Sequence, residues 1–336
     1  MMALLLPENY SSPLSPRETE RAIKFIKDTF QHEIIAALNL QRISAPLFVR
    51  PETGLNDNLN GVERPVTFDA PCINGNLVEI VHSLAKWKRM TLAKYKFDTG
   101  EGLYTDMNAI RRDEDVDNIH SMYVDQWDWE AVISKEERTL DTLKDYVRRI
   151  YKAMKSTMAR VHQKYPDIAP CFPDEITFIT SQELEDMYPD DDPKERENKI
   201  LREKKAVFLM QIGKVLNSGE KHDGRAPDYD DWELNGDILV YYPLLDISLE
   251  LSSMGIRVDE DSLMSQIKAS GCEDRLEMEF HKKLLNKELP YTIGGGIGQS
   301  RLCMLMLNKA HIGEVQASIW PDEMIKVCKD NGINII

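Results

Sequence analysis

A glycine-rich stretch near the C-terminus departs from what packing alone requires. Four of the five residues from 294 to 298 are glycine. Because each glycine costs stability inside a helix or strand, the stretch predicts a turn whose bare main chain a flat or phosphorylated ligand can approach. Arg301 then falls in the first turn of an apolar helix, where the helix dipole does not favour a positive charge. A ligand explains Arg301, and a structural turn with a surface arginine is an equal alternative.

Two well-known nucleotide sites do not fit this stretch. It lacks the lysine and the spacing of a P-loop, and Gln299 stands where a dinucleotide-binding fingerprint has its third glycine. Both interpretations are therefore weaker than a ligand-binding turn of another kind.

Polar residues also fall on a predicted strand rich in aromatic residues. Period-two alternation over residues 123–130 places Gln126 and Asp128 opposite Trp127 and Trp129. The aromatic face is expected to be core. Gln126 and Asp128 should therefore point into a polar cavity or into water.

Two acidic residues, Asp237 and Glu250, belong to the next pair of predicted strands. Alternation groups Leu249, Leu251 and Ser253 on one face and leaves Glu250 on the other. A glutamate among apolar residues is costly unless it is paired or bound to a cation, and carboxylate oxygens suit Mg²⁺. Each acid alone fits a solvated strand end. That interpretation weakens because the polar residues fall on neighbouring strands of one sheet.

These residues need a scaffold, which hydrophobic periodicity predicts. The predicted helices cover residues 17–40, 84–90, 135–165, 193–205, 261–270, 274–286 and 302–307. The predicted strands cover residues 43–48, 66–68, 77–81, 107–111, 121–132, 176–180, 206–212, 237–242 and 247–258. Residues 217–235 are predicted to be a long polar loop. Since most strands follow one another as in hairpins, we expect an α+β fold with a largely antiparallel sheet flanked by helices.

The composition restricts the class of protein. The 336 residues are 42% hydrophobic, and 57 acidic against 42 basic residues give a net charge of -15. A field of that sign repels phosphate backbones, so we expect no nucleic-acid partner. Five scattered cysteines without a Cys-x-x-Cys pair indicate reduced thiols. No apolar stretch is long enough for a membrane span, so we expect a cytoplasmic protein.

Three short motifs resemble those of class II aminoacyl-tRNA synthetase catalytic domains. Residues 43–46 resemble motif 1, residues 111–114 motif 2 and residues 294–301 motif 3. Longer stretches are similar to the ammonia-dependent asparagine synthetases of the A type, also called aspartate–ammonia ligases. These stretches are residues 81–89, 100–105, 123–130, 225–232, 234–239, 250–258 and 292–302. The resemblance implies a single class II synthetase-like catalytic domain, residues 17–336, after an N-terminal extension, residues 1–16.

The resemblance implies an ATP-dependent amide synthesis. The β-carboxylate of L-aspartate would attack the α-phosphate of ATP, release pyrophosphate and form β-aspartyl-AMP. Ammonia would then attack the acyl carbon and AMP would leave. Glutamine-dependent synthetases carry a cysteine nucleophile at the processed N-terminus, whereas residues 2–6 here are Met-Ala-Leu-Leu-Leu, so free ammonia is the expected nitrogen donor.

The resemblance also implies roles for nucleotide-binding residues. These residues would be Arg111, Glu114, Asp237, Glu250, Gly296 and Arg301. Arg111 would hold the α-phosphate, because a guanidinium fork matches phosphate oxygens. Glu114 would accept a hydrogen bond from the adenine amino group, and Arg301 would lie along the adenine or the phosphates. Asp237 and Glu250 would hold Mg²⁺ across the phosphates.

A second set of residues would bind the amino acid. These residues would be Ser83, Lys88, Gln126, Asp128, Asp230 and Ser253. Lys88 would meet a substrate carboxylate, and the acidic and amide groups would hold the substrate ammonium. The catalytic residues would be Asp57, Lys88 and Arg111. Asp57 is the candidate for positioning ammonium or taking its proton, and an Asx-turn explains the same residue without chemistry.

The likeness to motif 1 predicts a homodimer, because Pro46 occupies the place of an interface proline. Two other functions share the same residues. One is a class II catalytic domain that charges tRNA with aspartate or asparagine, which the acidic composition disfavours. The other is a catalytically dead, amino-acid-sensing homodimer, which the complete set of charged residues disfavours.

Overall fold

A computed structural model describes residues 4–56 and 63–336 of the chain. Its strands are β1 (Leu40–Arg42), β2 (Phe48–Val49), β3 (Thr67–Asp69), β4 (Leu77–Ile80), β5 (Gly102–Ile110), β6 (Tyr123–Val132), β7 (Thr177–Thr180), β8 (Ala206–Met210), β9 (Asp230–Tyr242), β10 (Ile247–Arg257) and β11 (Thr292–Gly298). Eight of them form one sheet in the order β1-β5-β6-β11-β10-β9-β8-β7, and β2-β4-β3 form a smaller sheet.

The large sheet is mostly antiparallel. Only its two outermost pairs, β1 with β5 and β7 with β8, run parallel among the described residues. The four strands β6, β11, β10 and β9 therefore form an antiparallel centre. The predicted α+β fold with a largely antiparallel sheet is confirmed.

Nine α-helices surround the sheet in the described part of the chain. They are α1 (Pro16–Leu38), α2 (Ala85–Tyr95), α3 (Leu140–Lys164), α4 (Ser181–Met187), α5 (Pro193–Lys204), α6 (Glu260–Ser270), α7 (Glu279–Leu285), α8 (Gln299–Met306) and α9 (Asp322–Asp330). None of the described helices is long and apolar enough to cross a membrane.

Two long amphipathic helices, α1 and α3, cover one face of the large sheet and form its core. Phe30 on α1 packs on Trp127 with ring centroids 4.7 Å apart, and Tyr146 on α3 stacks on Trp129 at 5.8 Å. Helix α1 begins at a capping box in which Ser15 and Glu18 satisfy each other's main-chain donors. With this face of β6 buried in aromatic packing, its other face is left for polar side chains.

The glycine-rich stretch is the clearest error of the sequence prediction. Residues 294–298 lie inside strand β11, between β6 and β10, and do not form a turn. A Cβ on Gly295 would lie 2.5 Å from the Cβ of Met254, and one on Gly296 would lie 2.8 Å from the side-chain carbonyl carbon of Gln126. Glycine is required here because neighbouring side chains occupy the space above this strand. This close packing compensates for the low strand propensity of glycine.

Other boundaries also differ from the prediction. The predicted loop 217–235 ends early, because β9 begins at Asp230, and both Asp230 and Asn235 pair with β10. The single helix predicted over residues 274–286 is a 3₁₀ turn, Glu273–Glu277, followed by α7. Helices α4 and α9 were not predicted, since both are short.

Candidate active site

Two cavities adjoin above the polar face of β6, β10 and β11. Their volumes are about 170 and 300 Å³. Five residues line both cavities: Arg111, Glu114, Gln126, Glu250 and Gly296. All five were predicted from the sequence as site residues. Because the same side chains border both spaces, a group bound in one cavity can reach a group bound in the other.

The first cavity lies where β11 runs into α8. Arg301, in the first turn of α8, donates to the carbonyl of Glu250 at 3.1 Å and to the carbonyl of Ile119 at 3.3 Å. Its guanidinium also lies 3.6 Å from the Glu250 carboxylate. Arg111 and Glu114, in the turn after β5, also line this cavity and approach each other at 3.9 Å. The cavity therefore has guanidinium groups from two separate parts of the chain, which suits an anionic ligand.

The second cavity contains charged groups of both signs. Its lining includes the predicted residues Ser83, Asp128, Asp230 and Ser253. Arg225 joins them from the loop before β9, and its guanidinium donates to Ser253 Oγ and to the Asp237 carboxylate, the latter at 2.7 Å. A cavity with both guanidinium and carboxylate groups suits a small zwitterion.

Ser253 reaches this cavity because β10 is irregular. The pairing register between β10 and β9 shifts between Glu250 and Ser252. The predicted face that joined Ser253 to Leu249 and Leu251 is therefore wrong. Leu249 and Leu251 pack in the core with Met254, whereas Ser253 lines the same cavity as Glu250.

Lys88 lies beneath the second cavity and is fully buried. Its ammonium forms an ion pair with Asp128 and donates to the carbonyls of Trp129 at 2.8 Å and Gly295 at 3.3 Å. Glu130 lies 3.6 Å away. These contacts hold Asp128 from below, and the expected contact of Lys88 with a substrate carboxylate stays a prediction.

A buried ionic network fixes the floor of the second cavity. Arg257 donates to Glu130 through Nε at 3.0 Å and Nη2 at 2.7 Å, and its Nη1 pairs with Asp230. Thr292 donates to Glu130 at 2.7 Å. Burial raises the pKa of Glu130, but the charges of Arg257 and Lys88 lower it further, so the net shift is downward and the group is ionised at neutral pH.

Asp237 and Glu250, the predicted Mg²⁺ ligands, lie on adjacent strands. Burial and then the negative charge of Glu250 raise the pKa of Asp237 to about 7, against the opposing charge of Arg225. Glu250 lines both cavities, whereas Asp237 lines neither and its carboxylate accepts from Arg225 at 2.7 Å, so a divalent ion held by the pair stays a prediction. The described residues contain no cluster of three or more His, Cys, Asp or Glu side chains for a metal. Phosphate oxygens and water would have to complete the coordination.

Three polar atoms at the second cavity are buried without a hydrogen-bond partner in the described part of the chain. They are Arg111 Nε, Arg225 Nε and Asp230 Oδ2. A buried polar atom without a partner is costly, so such atoms indicate where a ligand supplies the missing bond. Two are donors suited to a phosphate or carboxylate, and one is an acceptor suited to an ammonium.

The sequence prediction missed two arginines of this site. Arg225 and Arg257 lie in stretches that resemble the family, 225–232 and 250–258, but neither received a role. Both arginines are buried beside carboxylates of other strands, and this position gives each of them a role in the site. Only the fold brings the arginines and these carboxylates together. The predicted catalytic residue Asp57 lies outside the described residues, which leave out 57–62.

Comparison with known proteins identifies the family. A family model described as aspartate-ammonia ligase matches residues 17–332. An aspartate–ammonia ligase from Ruminiclostridium cellulolyticum is 64% identical over 336 residues, covering all of both chains. One from Clostridium tetani is 63% identical over 333 residues, covering 99% of this chain and 98% of the relative.

Solved structures share the fold at low sequence identity. An asparaginyl-tRNA synthetase from Pyrococcus horikoshii complexed with asparaginyl-adenylate is 15% identical, with a TM-score of 0.65, over 90% of this chain and 70% of the synthetase. One from Entamoeba histolytica, also with asparaginyl-adenylate, is 13% identical with a TM-score of 0.64. That match covers 90% of this chain and 66% of the synthetase. These likenesses establish a class II synthetase-like catalytic core.

Proposed function

Because this chain belongs to the aspartate–ammonia ligase family, we propose that its two adjoining cavities make asparagine through a β-aspartyl-AMP intermediate. Members of this family synthesise L-asparagine from L-aspartate and ammonia with ATP. The family match decides against the alternative of a tRNA-charging domain, since the tRNA synthetases share only the fold at 13–16% identity. The observation that carries the proposal is the set of residues common to both cavities.

The nucleotide is assigned to the first cavity. Arg111 and Arg301 would supply positive charge for the phosphates, and Glu114, which lines the same cavity, would accept from the adenine amino group. Asp237 and Glu250 would hold Mg²⁺, which offsets the negative charge of the phosphates when it is bound. The raised pKa of Asp237 supports this assignment, because a cation would relieve it.

The amino acid is assigned to the second cavity. The unpartnered oxygen of Asp230, with Asp128 and Gln126, would accept from the substrate ammonium. The unpartnered nitrogen of Arg225 would donate to a substrate carboxylate, with Ser253 beside it. In this orientation the other carboxylate of aspartate points toward Arg111, which lines both cavities.

Activation follows from that juxtaposition. An oxygen of the β-carboxylate forms a bond to the α-phosphorus, and the bond from that phosphorus to the bridging oxygen breaks, so pyrophosphate leaves with the electron pair. Arg111 would stabilise the charge that develops on the α-phosphate oxygens, because its Nε has no other hydrogen-bond partner and can donate to them. Holding both reactants against shared side chains supplies the proximity that the step needs.

Amide formation uses the same junction. The nitrogen of ammonia attacks the acyl carbon, the bond from that carbon to the AMP oxygen breaks, and the nitrogen loses one proton. The carboxylate of Asp57 stays our candidate to take this proton, by its position in the sequence alone.

We further propose that the enzyme is a homodimer in the cytoplasm. The small sheet and the segment before it expose four large apolar side chains: Leu47 (49%), Phe48 (47%), Phe68 (39%) and Leu77 (56%). Pro46 adjoins them, and a cluster of this kind marks a protein interface. All five cysteines lie among the described residues and form no disulfide, as expected in a reducing compartment.

The decisive experiment is incubation of the pure protein with ATP, Mg²⁺, aspartate and ammonium. The proposal predicts one AMP and one pyrophosphate for each asparagine formed. Formation of ADP and phosphate would overturn the adenylate intermediate. Glutamine in place of ammonium should give little asparagine, and robust glutamine-driven synthesis would overturn the ammonia assignment.

A further inference from the structure

The N-terminal segment, residues 4–15, is bonded to the part of the fold that borders the first cavity. The main-chain N–H of Leu5 donates to Oδ1 of Asn118 at 2.8 Å, and Nδ2 of Asn118 donates to the carbonyl of Leu5 at 2.9 Å. Further along, the Tyr10 hydroxyl donates to Glu314 at 3.0 Å and Lys309 donates to Ser12 at 2.6 Å. Residues 4–15 themselves come before residues 17–332, the part of the chain that the family model matches.

Asn118 is buried where three parts of the chain meet, and it forms hydrogen bonds between them. It lies in the loop between β5 and β6 with only 2% of its surface exposed. Besides its two bonds to Leu5, its Nδ2 donates to the carbonyl of Ala310 at 2.8 Å. Its own carbonyl accepts from the N–H of Ile312 at 2.7 Å. A single amide side chain and its peptide group therefore connect the N-terminal segment, the β5–β6 loop and the segment after α8.

The residues joined in this way form one wall of the first cavity. Ile119 follows Asn118 directly and lines the cavity, and Ile312 lines it from the segment after α8. The carbonyl of Ile119 also accepts from Nε of Arg301 at 3.3 Å. The position of Asn118 thus determines where two lining residues and one acceptor for the Arg301 guanidinium lie.

We propose that Asn118 and the N-terminal segment position the nucleotide cavity, so that the segment is a working part of the ATP site. The inference rests on the proposed function, which places ATP in the first cavity. Asn118 is a positioning residue, since it acts through Ile119, Ile312 and Arg301. The bonds described here reach no residue that lines only the second cavity. Their loss should therefore weaken the binding of ATP and leave the binding of aspartate close to normal.

Two substitutions at Leu5 distinguish the loss of its main-chain hydrogen bond to Asn118 from the loss of its side chain. Leu5→Pro removes the N–H that donates to Asn118 and changes no residue of the cavity. Leu5→Ala keeps the N–H and is the matched control. We expect Leu5→Pro to raise the dissociation constant for ATP, measured by calorimetry with Mg²⁺, at least about threefold, from one lost hydrogen bond. Leu5→Ala should stay within about twofold of the wild type.

A second pair of variants tests Asn118 itself. Asn235 has the same arrangement, because its side chain donates to the carbonyl of Ile212 and accepts from the N–H of Ile212, both at 2.9 Å. Asn235 lines neither cavity. Asn118→Ala should raise the dissociation constant for ATP about tenfold and change the KM for aspartate less than twofold. Asn235→Ala should lower the melting temperature about as much as Asn118→Ala does, but it should not raise the dissociation constant for ATP.

The outcomes separate this inference from the proposed function. If the wild type binds no ATP, or if Arg301→Ala binds ATP as well as the wild type does, the assignment of the cavity fails and the inference fails with it. If the wild type binds ATP and Leu5→Pro and Asn118→Ala bind it equally well, only the inference fails. Equal losses for ATP and aspartate would also overturn it, because they indicate general destabilisation.

Discussion

Gly294 on β11 lies directly against the carboxylate of Glu130 on β6, and the two residues are paired in register. A Cβ on Gly294 would overlap that carboxylate and would lie 2.6 Å from Nη2 of Arg257. The Glu130–Arg257 pair in turn holds Asp230 at the floor of the second cavity. The absence of a side chain at Gly294 is therefore what makes room for the buried ionic network.

Gly294→Ala should destabilise the fold strongly. The new methyl group must displace a buried ion pair that is fixed on both sides, so we expect a loss of about 2–4 kcal/mol in the free energy of unfolding. Gly298→Ala is the control on the same strand, since a Cβ there would meet its nearest neighbour, Cβ of Arg301, at 3.4 Å. Urea unfolding of both variants measures the difference. Equal stability of the two would contradict the packing argument.

Arg111→Ala should lower the turnover of asparagine synthesis about 10²-fold or more, because it removes the donor assigned to the α-phosphate in the transition state. Arg112→Ala is the matched control, since the neighbouring guanidinium is exposed and lines neither cavity. It should keep turnover within about twofold. Release of pyrophosphate in the presence of saturating ATP, aspartate and ammonium measures both variants. Near-normal turnover of Arg111→Ala would refute its role.

These residues also show which features the sequence could reveal. Helices α1 and α3 were predicted because apolar residues recur at spacings of three and four residues along most of each helix. This pattern can be read from neighbouring residues in the sequence. The polar face of β6 was predicted for the same reason, since period-two alternation places Gln126 and Asp128 opposite two tryptophans. The likeness to family motifs supplied Arg111, Glu114 and their roles.

The errors come from contacts that are distant in the sequence. The glycines of β11 were assigned to a turn because their low strand propensity is visible locally, whereas the side chain of Glu130 that requires Gly294 lies 164 residues earlier. The face of Ser253 was wrong because a β-bulge shifts the register of β10 by one residue. Arg225 received no role because its burial against Asp237 appears only in the folded chain.

Binding of ATP with Mg²⁺ should release protons near neutral pH. The pKa of Asp237 is raised to about 7, so about half of these groups carry a proton at that pH. A cation binds the ionised form, and the apparent affinity should therefore increase as the pH rises from about 6 to 8. Calorimetry in two buffers with different ionisation enthalpies counts the released protons. Proton uptake, or no difference between the buffers, would contradict the assignment.

Two variants and the unliganded protein extend this test. Asp237→Asn should abolish the proton release, whereas Asp246→Asn, which removes one of the two carboxylates paired with the exposed Arg202, should leave it unchanged. In the unliganded protein a rise in pH has the opposite effect: it lowers the stability of the fold instead of raising an affinity. Between about pH 4 and 7 the folded Asp237 holds a proton that the unfolded chain has lost, so its contribution to the unfolding free energy falls as the pH rises.

The exposed apolar cluster on the small sheet should be the contact between two copies of the chain. Light scattering is expected to give twice the monomer mass of 38.7 kDa. Phe48→Glu places a charge where Phe48 and Phe68 pack with centroids 5.3 Å apart, and it should shift the protein toward the monomer. Ile319→Glu changes an even more exposed residue, at 76%, outside this cluster, and it should not. A wild-type monomer would refute the dimer.

The pairing of Lys88 with Asp128 decides how Lys88 acts on the substrate. Its ammonium has three donors, and Asp128 and two main-chain carbonyls occupy them. Lys88→Met should therefore cost about 3–5 kcal/mol, because it leaves Asp128 buried without its partner. If Lys88 acts through Asp128, adding Lys88→Met to Asp128→Asn should raise the KM for aspartate little beyond that of Asp128→Asn alone. If Lys88 binds a substrate carboxylate directly, the two effects on KM should multiply.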